Sequence, residues 1–154
     1  MAERLNIATI DPTAFKAVLG LEKYASSSGL ESSLYELIKI RASQINGCAY
    51  CLDMHTAEAR EQGEDQRRLD ILSAWREAPD FFTPREQAAL TLTEAITLIH
   101  HEGVPETAWH EAETQFSQQE LVWIIMAICT INVWNRMAVS VHQSLPPPRD
   151  KTPG

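Results

Sequence analysis

Residues 36–55, ELIKIRASQINGCAYCLDMH, carry the stretch on which the rest of the chain depends. Two of the three cysteines stand here as Cys48-Ala49-Tyr50-Cys51, with His55 four residues after the second and Glu36 twelve before the first. In a helix starting near Cys48, the 3.6-residue period brings Cys48, Cys51 and His55 within about 60° of one another on one face. Asn46-Gly47 just ahead is a break that ends one helix and lets the next begin. It sets the cysteine pair at a helix N-terminus, where free N–H groups and the positive dipole end favour a thiolate. Two thiols with a base one turn away form a redox constellation.

Helices follow on both sides of this stretch. Asp11-Pro12 reads as a capping side chain followed by proline at the first helical position, and Phe15, Val18, Leu19 and Leu21 give that helix its apolar stripe before Ser26–Gly29 end it. A second helix runs from about Glu31 to Asn46-Gly47, a third from Cys48 to a terminal Gly63, and a fourth from Gln66 through Leu69, Leu72 and Trp75 to Ala78-Pro79. Thr83-Pro84-Arg85-Glu86 joins a capping box to an N1 proline and opens a fifth helix that reaches His100, His101 and Glu102 before Gly103. A short sixth spans Pro105 to Thr114. Ser117-Gln118-Gln119-Glu120 is a second capping box, and it opens the longest apolar segment, Leu121 to Val141. That helix is apolar most of the way round, so burial in the fold or between subunits is expected, with Pro146-Pro147-Pro148 ending it. No alternating strand pattern of useful length occurs. The expectation is an all-α single domain over residues 1–145, of about six to seven helices, with a Pro-rich tail over 146–154.

Composition narrows the function. The chain has 154 residues, 44% of them hydrophobic and 22% charged, with a net charge of −8. That is ordinary for a globular domain, and the negative balance argues against nucleic acid or an anionic membrane as partner. Neither an N-terminal apolar leader nor a run approaching 18 apolar residues is present, so a membrane span is not expected. An odd count of three cysteines suits a working dithiol in a reducing cytoplasm better than a structural disulfide framework.

A thiolate cleaves a peroxide by attacking its distal oxygen, and the leaving oxygen needs a proton. The sulfenic acid so formed must condense with a second thiol before it over-oxidises. Cysteines three apart lie within disulfide reach, His55 can exchange a proton with Cys51 one turn away, and Glu36 on the preceding helix can orient the imidazole.

Glu36, Cys48, Cys51 and His55 at these spacings resemble the signature of the alkylhydroperoxidase AhpD-like, carboxymuconolactone decarboxylase superfamily. The surrounding Gln44–Cys51 text, Thr93-Glu94-Ala95 and Trp134-Asn135-Arg136 have the same character, and the likeness runs from about Leu19 to Val141. The resemblance implies an AhpD-like helical fold, assembly into homo-oligomers (trimers or hexamers), and a peroxide-reducing cycle. In that cycle Cys51 is the nucleophile, Cys48 the resolving thiol, and His55 with Glu36 the proton relay. It implies a small hydroperoxide substrate and a dithiol reductant, with no cofactor and no metal. One departure stands out: relatives known as peroxidases carry a histidine just before the second cysteine, where this chain has Tyr50. A phenol donates a hydrogen bond but is a weak base. The decarboxylase branch needs no cysteine pair, so the retained pair favours redox chemistry.

Competing expectations attach to the same residues. Cys48, Cys51, His55 and Glu36 have spacings compatible with zinc, although structural zinc usually draws its ligands from two separate knuckles. A dithiol exchange or redox-sensing module with little turnover is a further alternative. Cys129, in the most apolar helix, is expected to be a small buried hydrophobe. Arg136 needs a carboxylate if buried, either Glu94 or a residue of another subunit. His100, His101, His110 and His142 are expected to be ordinary surface or helix-end residues. Trp75, Trp109, Trp123 and Trp134 are expected in the core or at a subunit contact, with a substrate pocket lined by one or two of them as the alternative.

Overall fold

A computed structural model describes residues 2–147, and among them it contains α-helices and no strand. In chain order these are α1 (Ile7–Ile10), α2 (Pro12–Ser26), α3 (Ser32–Asn46), α4 (Ala49–Glu61), α5 (Gln66–Ile71), α6 (Pro84–Thr97), α7 (Glu106–Gln115) and α8 (Gln118–Val141). The caps read from the sequence are formed. Asp11 Oδ1 accepts the N–H groups of Thr13 and Ala14 at 3.1 and 3.0 Å, and both Thr83/Glu86 and Ser117/Glu120 close reciprocal capping boxes.

Three elements depart from expectation. The four-residue α1 buries none of its residues and was not expected; Asn6 caps it through the Thr9 N–H. The segment after α5 tightens into a 3-10 helix, Leu72–Glu77, and a second 3-10 turn, Pro79–Phe81, follows. Leu72 and Trp75, three residues apart as the 3-10 period requires, are buried with Leu69 of α5 in one apolar cluster. Then α6 stops at Thr97 rather than running on to His101, and Gly103 takes φ 74° in the turn that follows.

The centre of the bundle is α3, which packs against α4, α6 and α8, while α2 lies along α8 and α7 along α6. One apolar cluster joins Leu34, Ile38, Leu92, Ile124 and Ile128 from α3, α6 and α8. A second joins Leu37 and Ile40 to Ala59, Leu72, Trp75, Phe82 and Leu90. Successive residues of α3 therefore feed opposite sides, which is why nine of its fifteen residues are buried.

The long apolar α8 is not covered all round. Leu121, Ile124, Ile128, Ile131 and Ala138 face the core, but Val122, Cys129 and Val139 are exposed on its outer side. Cys129, expected to be buried, is exposed because it falls between the core-facing Ile128 and Thr130 on the wrong side of the 100° step. By length and composition this helix is apolar enough to cross a membrane, yet here it serves as a packing helix for α2, α3, α4, α6 and α7. It ends at His142, whose left-handed conformation (φ 54°) stops the helix four residues before the prolines expected to do so. Of the Pro-rich tail, residues 148–154 lie outside the described residues.

Candidate active site at the dithiol helix

A single residue turns the chain from α3 into α4. Gly47 adopts φ 65°, a left-handed conformation that costs an L side chain roughly 1 kcal/mol or more, and the Cys48 N–H closes on Ser43 O at 3.1 Å. Cys48 is then the N-cap of α4, and its Sγ accepts the Cys51 N–H at 3.2 Å. The turn reverses direction, so Glu36, about 15 Å of helix before it, and His55, about 10 Å after it, come to similar heights on neighbouring helices. Sequence spacing placed each residue on its own helix; this turn brings them together.

Cys48 and Cys51 are joined as a disulfide, with Cα atoms 5.3 Å apart. They are 1% and 2% exposed and pack with Ala42, Ile131 and Ala138, with Tyr50 and Trp134 against the edge of the cluster. His55 and Glu36 are both buried as well. The imidazole turns Nδ1 to two carboxylates, Glu58 Oε2 at 3.0 Å and Glu36 Oε2 at 3.2 Å. One nitrogen carries at most one hydrogen; the shorter contact, to Glu58, takes it, and Glu36 Oε2 stands as an ion-pair partner of the protonated ring.

Lys39, one turn after Glu36 and equally buried, lies 2.8 Å from Glu36 Oε1 and 4.1 Å above the Tyr35 ring. Burial disfavours the imidazolium of His55, and Lys39 adds to that. The hydrogen bonds and charge from Glu36 and Glu58 outweigh both and hold the His55 pKa above its usual value of 6.5. Burial and the neighbouring Glu22 push the Tyr35 phenol far above its normal range, so it keeps its proton and donates a hydrogen bond to Glu22 Oε1 at 2.9 Å. Glu22 Oε2 accepts from Trp134 Nε1 at 3.0 Å.

These groups border a cavity of about 320 Å³ between α2, α4 and α8. Phe15, Leu19, Met54 and Trp134 supply apolar walls, Phe15 meeting Trp134 edge-on at 5.4 Å. Cys51, His55, Glu58, Lys39 and Glu22 line the same space, so the Cys51 residue and its neighbouring imidazole face a chamber sized for a small organic molecule.

A polar clamp holds the dithiol turn to α8. Asn46 Nδ2 donates to Asn135 Oδ1 at 2.8 Å and to Asn132 Oδ1 at 3.0 Å, and Asn135 Nδ2 donates to Ser43 Oγ at 2.9 Å. Asn135 is fully buried, so these bonds fix the end of α3 immediately before Cys48. Arg136, expected to need a carboxylate only if buried, is exposed and bonds Asn132. Glu94 is held by Arg41 Nε at 2.7 Å, Trp75 Nε1 at 2.9 Å and Arg76. Asn132 in turn donates to Thr97 Oγ1 of α6 at 3.0 Å.

All four predicted residues, Glu36, Cys48, Cys51 and His55, thus converge on one site. Glu58 and Lys39 were missed, though each stands three residues from a predicted partner and that spacing was a usable signal. Glu22 and Trp134 come from distant segments and left no such signal. The donor set proposed for zinc does not form in this state, since the two sulfurs are bonded to each other. Glu36, His55 and Glu58 do offer donor atoms within 4.8 Å of one another, but Lys39 already sets a positive charge on Glu36.

A buried Cys48–Cys51 pair at a helix N-terminus, with a histidine and carboxylates beside it, thus sits on an all-helical frame. The chain belongs to the carboxymuconolactone decarboxylase family, whose pattern matches residues 12–95, within the AhpD-like superfamily. It is 41% identical over 141 residues to the uncharacterized protein YdfG of Bacillus subtilis, covering 92% of this chain and 95% of that one. The crystal structure of ATU0492 from Agrobacterium tumefaciens, a protein of unknown function and a candidate AhpD antioxidant-defence protein, superposes with a TM-score of 0.92 at 45% identity. That match covers 94% of this chain and 99% of ATU0492. The debrominase Bmp8, solved with 2,3,4-tribromopyrrole, shares the fold at TM-score 0.80 and 18% identity, over 90% of this chain and 74% of its own.

Proposed function

We infer that the protein is a thiol-dependent hydroperoxide reductase whose working groups are Cys51, Cys48, His55 and Glu36. The observation that carries this is the shared chamber: Cys51 and His55 line one cavity, and His55 Nδ1 rests on two carboxylates. In the reduced protein, the Cys51 thiolate attacks the distal oxygen of a small hydroperoxide, the O–O bond breaks, and the alkoxide leaves with the proton of the His55 imidazolium. Cys51 is then a sulfenic acid. Cys48 attacks its sulfur, hydroxide leaves as water with the Cys48 proton, and the Cys48–Cys51 disulfide results. Glu36 and Glu58 retain the imidazole orientation through both steps, and a dithiol reductant returns the pair to thiols.

Two further features bear on this role. Apolar residues on the outer side of α8, among them Val122 and Val139, remain uncovered in the single chain, which supports a homo-oligomer, trimer or hexamer, with that face as contact. A reducing compartment such as the cytoplasm would supply the reductant. Tyr50 favours a second reading, a dithiol exchange or sensing module with low turnover, because no imidazole stands between the two cysteines to speed the proton's passage.

The test is peroxide consumption by the reduced protein, with intact and peptide mass spectrometry on the same samples. One peroxide lost per chain, with the Cys48–Cys51 disulfide forming at the same rate, is the expected result. Cys51→Ser abolishes it, and Cys48→Ser leaves Cys51 open to over-oxidation. Thiols unchanged after excess cumene hydroperoxide and hydrogen peroxide would sink the proposal.

A further inference from the structure

Of the lysines and arginines among the described residues, Lys39 alone is buried. Taking an ammonium out of water is costly, and its partners repay that cost only in part. Where stability alone is at stake, a well-packed apolar side chain often serves such a position as well or better. Lys39 stands, moreover, in the wall of the chamber shared by Cys51 and His55. Its charge has a use to be found there.

The ammonium is not fully used by its neighbours among the described residues. Lys39 Nζ lies 2.8 Å from Glu36 Oε1 and 4.1 Å above the Tyr35 ring. Glu22 Oε1, at 4.0 Å, is beyond hydrogen-bond distance and already accepts from the Tyr35 hydroxyl. An ammonium has three N–H donors, of which Glu36 and the ring face take one each. The group therefore sits between Glu36 and the chamber-lining Glu22 with one donor left over. When Cys51 attacks the distal oxygen of a hydroperoxide, negative charge moves from sulfur to the proximal oxygen as the O–O bond breaks. The departing alkoxide is a much stronger base than the thiolate. A cation already in place beside it lowers the barrier most where water is excluded.

We propose that Lys39 is a catalytic residue of the peroxide step, its remaining N–H binding the proximal oxygen and holding the alkoxide's developing charge while His55 delivers the proton. The S–O bond forms at Cys51 as the O–O bond breaks, and the electron pair goes to the proximal oxygen. The proton that neutralises that oxygen comes from His55, and Lys39 keeps its own three hydrogens. The ion pair with Glu36 fixes the ammonium before the substrate arrives, so no reorganisation is needed during the reaction. Peroxides whose leaving oxygen is a weak base gain little from it.

The inference rests on the hydroperoxide reading, and the experiment separates the two. The reduced full chain is mixed with tert-butyl hydroperoxide, which expels a strongly basic alkoxide, or with peracetic acid, which expels weakly basic acetate. Quenched-flow mass spectrometry follows disulfide formation in wild type, Lys39→Met, His55→Gln and the double variant. Lys39→Met should slow the reaction with tert-butyl hydroperoxide by about 10²-fold and that with peracetic acid by less than about fivefold. The larger loss should persist, within about threefold, in the His55→Gln background, because a group acting only through Glu36 and His55 has no effect once His55 is gone. Equal losses for the two peroxides, or a loss that vanishes beside His55→Gln, would overturn the proposal and leave Lys39 a positioning residue for Glu36. If Lys39→Met does not fold, Lys39→Gln, neutral and of similar length, gives the same comparison. Wild-type thiols inert to both peroxides would remove the hydroperoxide reading itself, and this inference with it.

Discussion

Two largely buried glutamates, Glu36 on α3 and Glu94 on α6, occupy comparable positions in the bundle and do different things. Glu94 is surrounded by groups that do not change: Arg41, Arg76 and the indole N–H of Trp75. Burial alone would raise its pKa, but those three donors overcome it and hold the carboxyl below its usual 4.5. Its charge is settled at any ordinary pH, and it ties α3, the 3-10 segment and α6 together. Glu36 has one cationic partner, Lys39, and spends its second oxygen on His55, a group that titrates. Beside His55 lie a cavity and a disulfide. A buried carboxylate saturated by permanent cations is structural, and one that leans on a titratable neighbour can take part in chemistry.

The sharpest way to break this comparison is by paired substitution. Glu36→Gln should slow peroxide oxidation of Cys51 by about 10²-fold, the low end for losing an acid–base partner. Glu94→Gln should leave that rate within about threefold, since Glu94 reaches neither His55 nor the cavity, and should instead cost about 2 kcal/mol in denaturant unfolding through lost charged hydrogen bonds. Stopped-flow oxidation and urea melts on the same two proteins give both numbers. An equal loss of rate in the two variants would mean that Glu36 acts only as scaffold.

A smaller effect, but one of opposite sign at the two sites, appears in the pH dependence of stability. The folded-state pKa of His55 is raised, so its ion pairs stabilise fully below about pH 6.5 and the contribution is lost as pH rises through the folded value. The Glu94 pKa is lowered, so its contribution is present above about pH 4.5 and is lost as pH falls through the folded value. Melting temperature against pH for wild type minus His55→Gln should therefore narrow toward alkaline pH. The same difference for Glu94→Gln should narrow toward acid. Curves sloping the same way would show that one of the two clusters has been misassigned.

What could be read from the sequence, and what could not, divides along a physical line. Helix starts depend on contacts within four residues, so Asp11-Pro12, Thr83–Glu86 and Ser117–Glu120 announced themselves, and so did the Asn46-Gly47 break before the dithiol. The spacing of Cys48, Cys51 and His55 likewise belongs to one helix and its period. The sequence by itself therefore determined an all-helical chain with a dithiol at a helix N-terminus and a histidine one turn on. Only the tertiary structure decided which side of each helix meets which neighbour, because that depends on the rotation and height of helices packed across the core. It gave Glu94 to Arg41 and Arg76, and left Cys129 outside. It also brought Glu22 and Trp134 together from positions 112 residues apart to wall the Cys51 chamber.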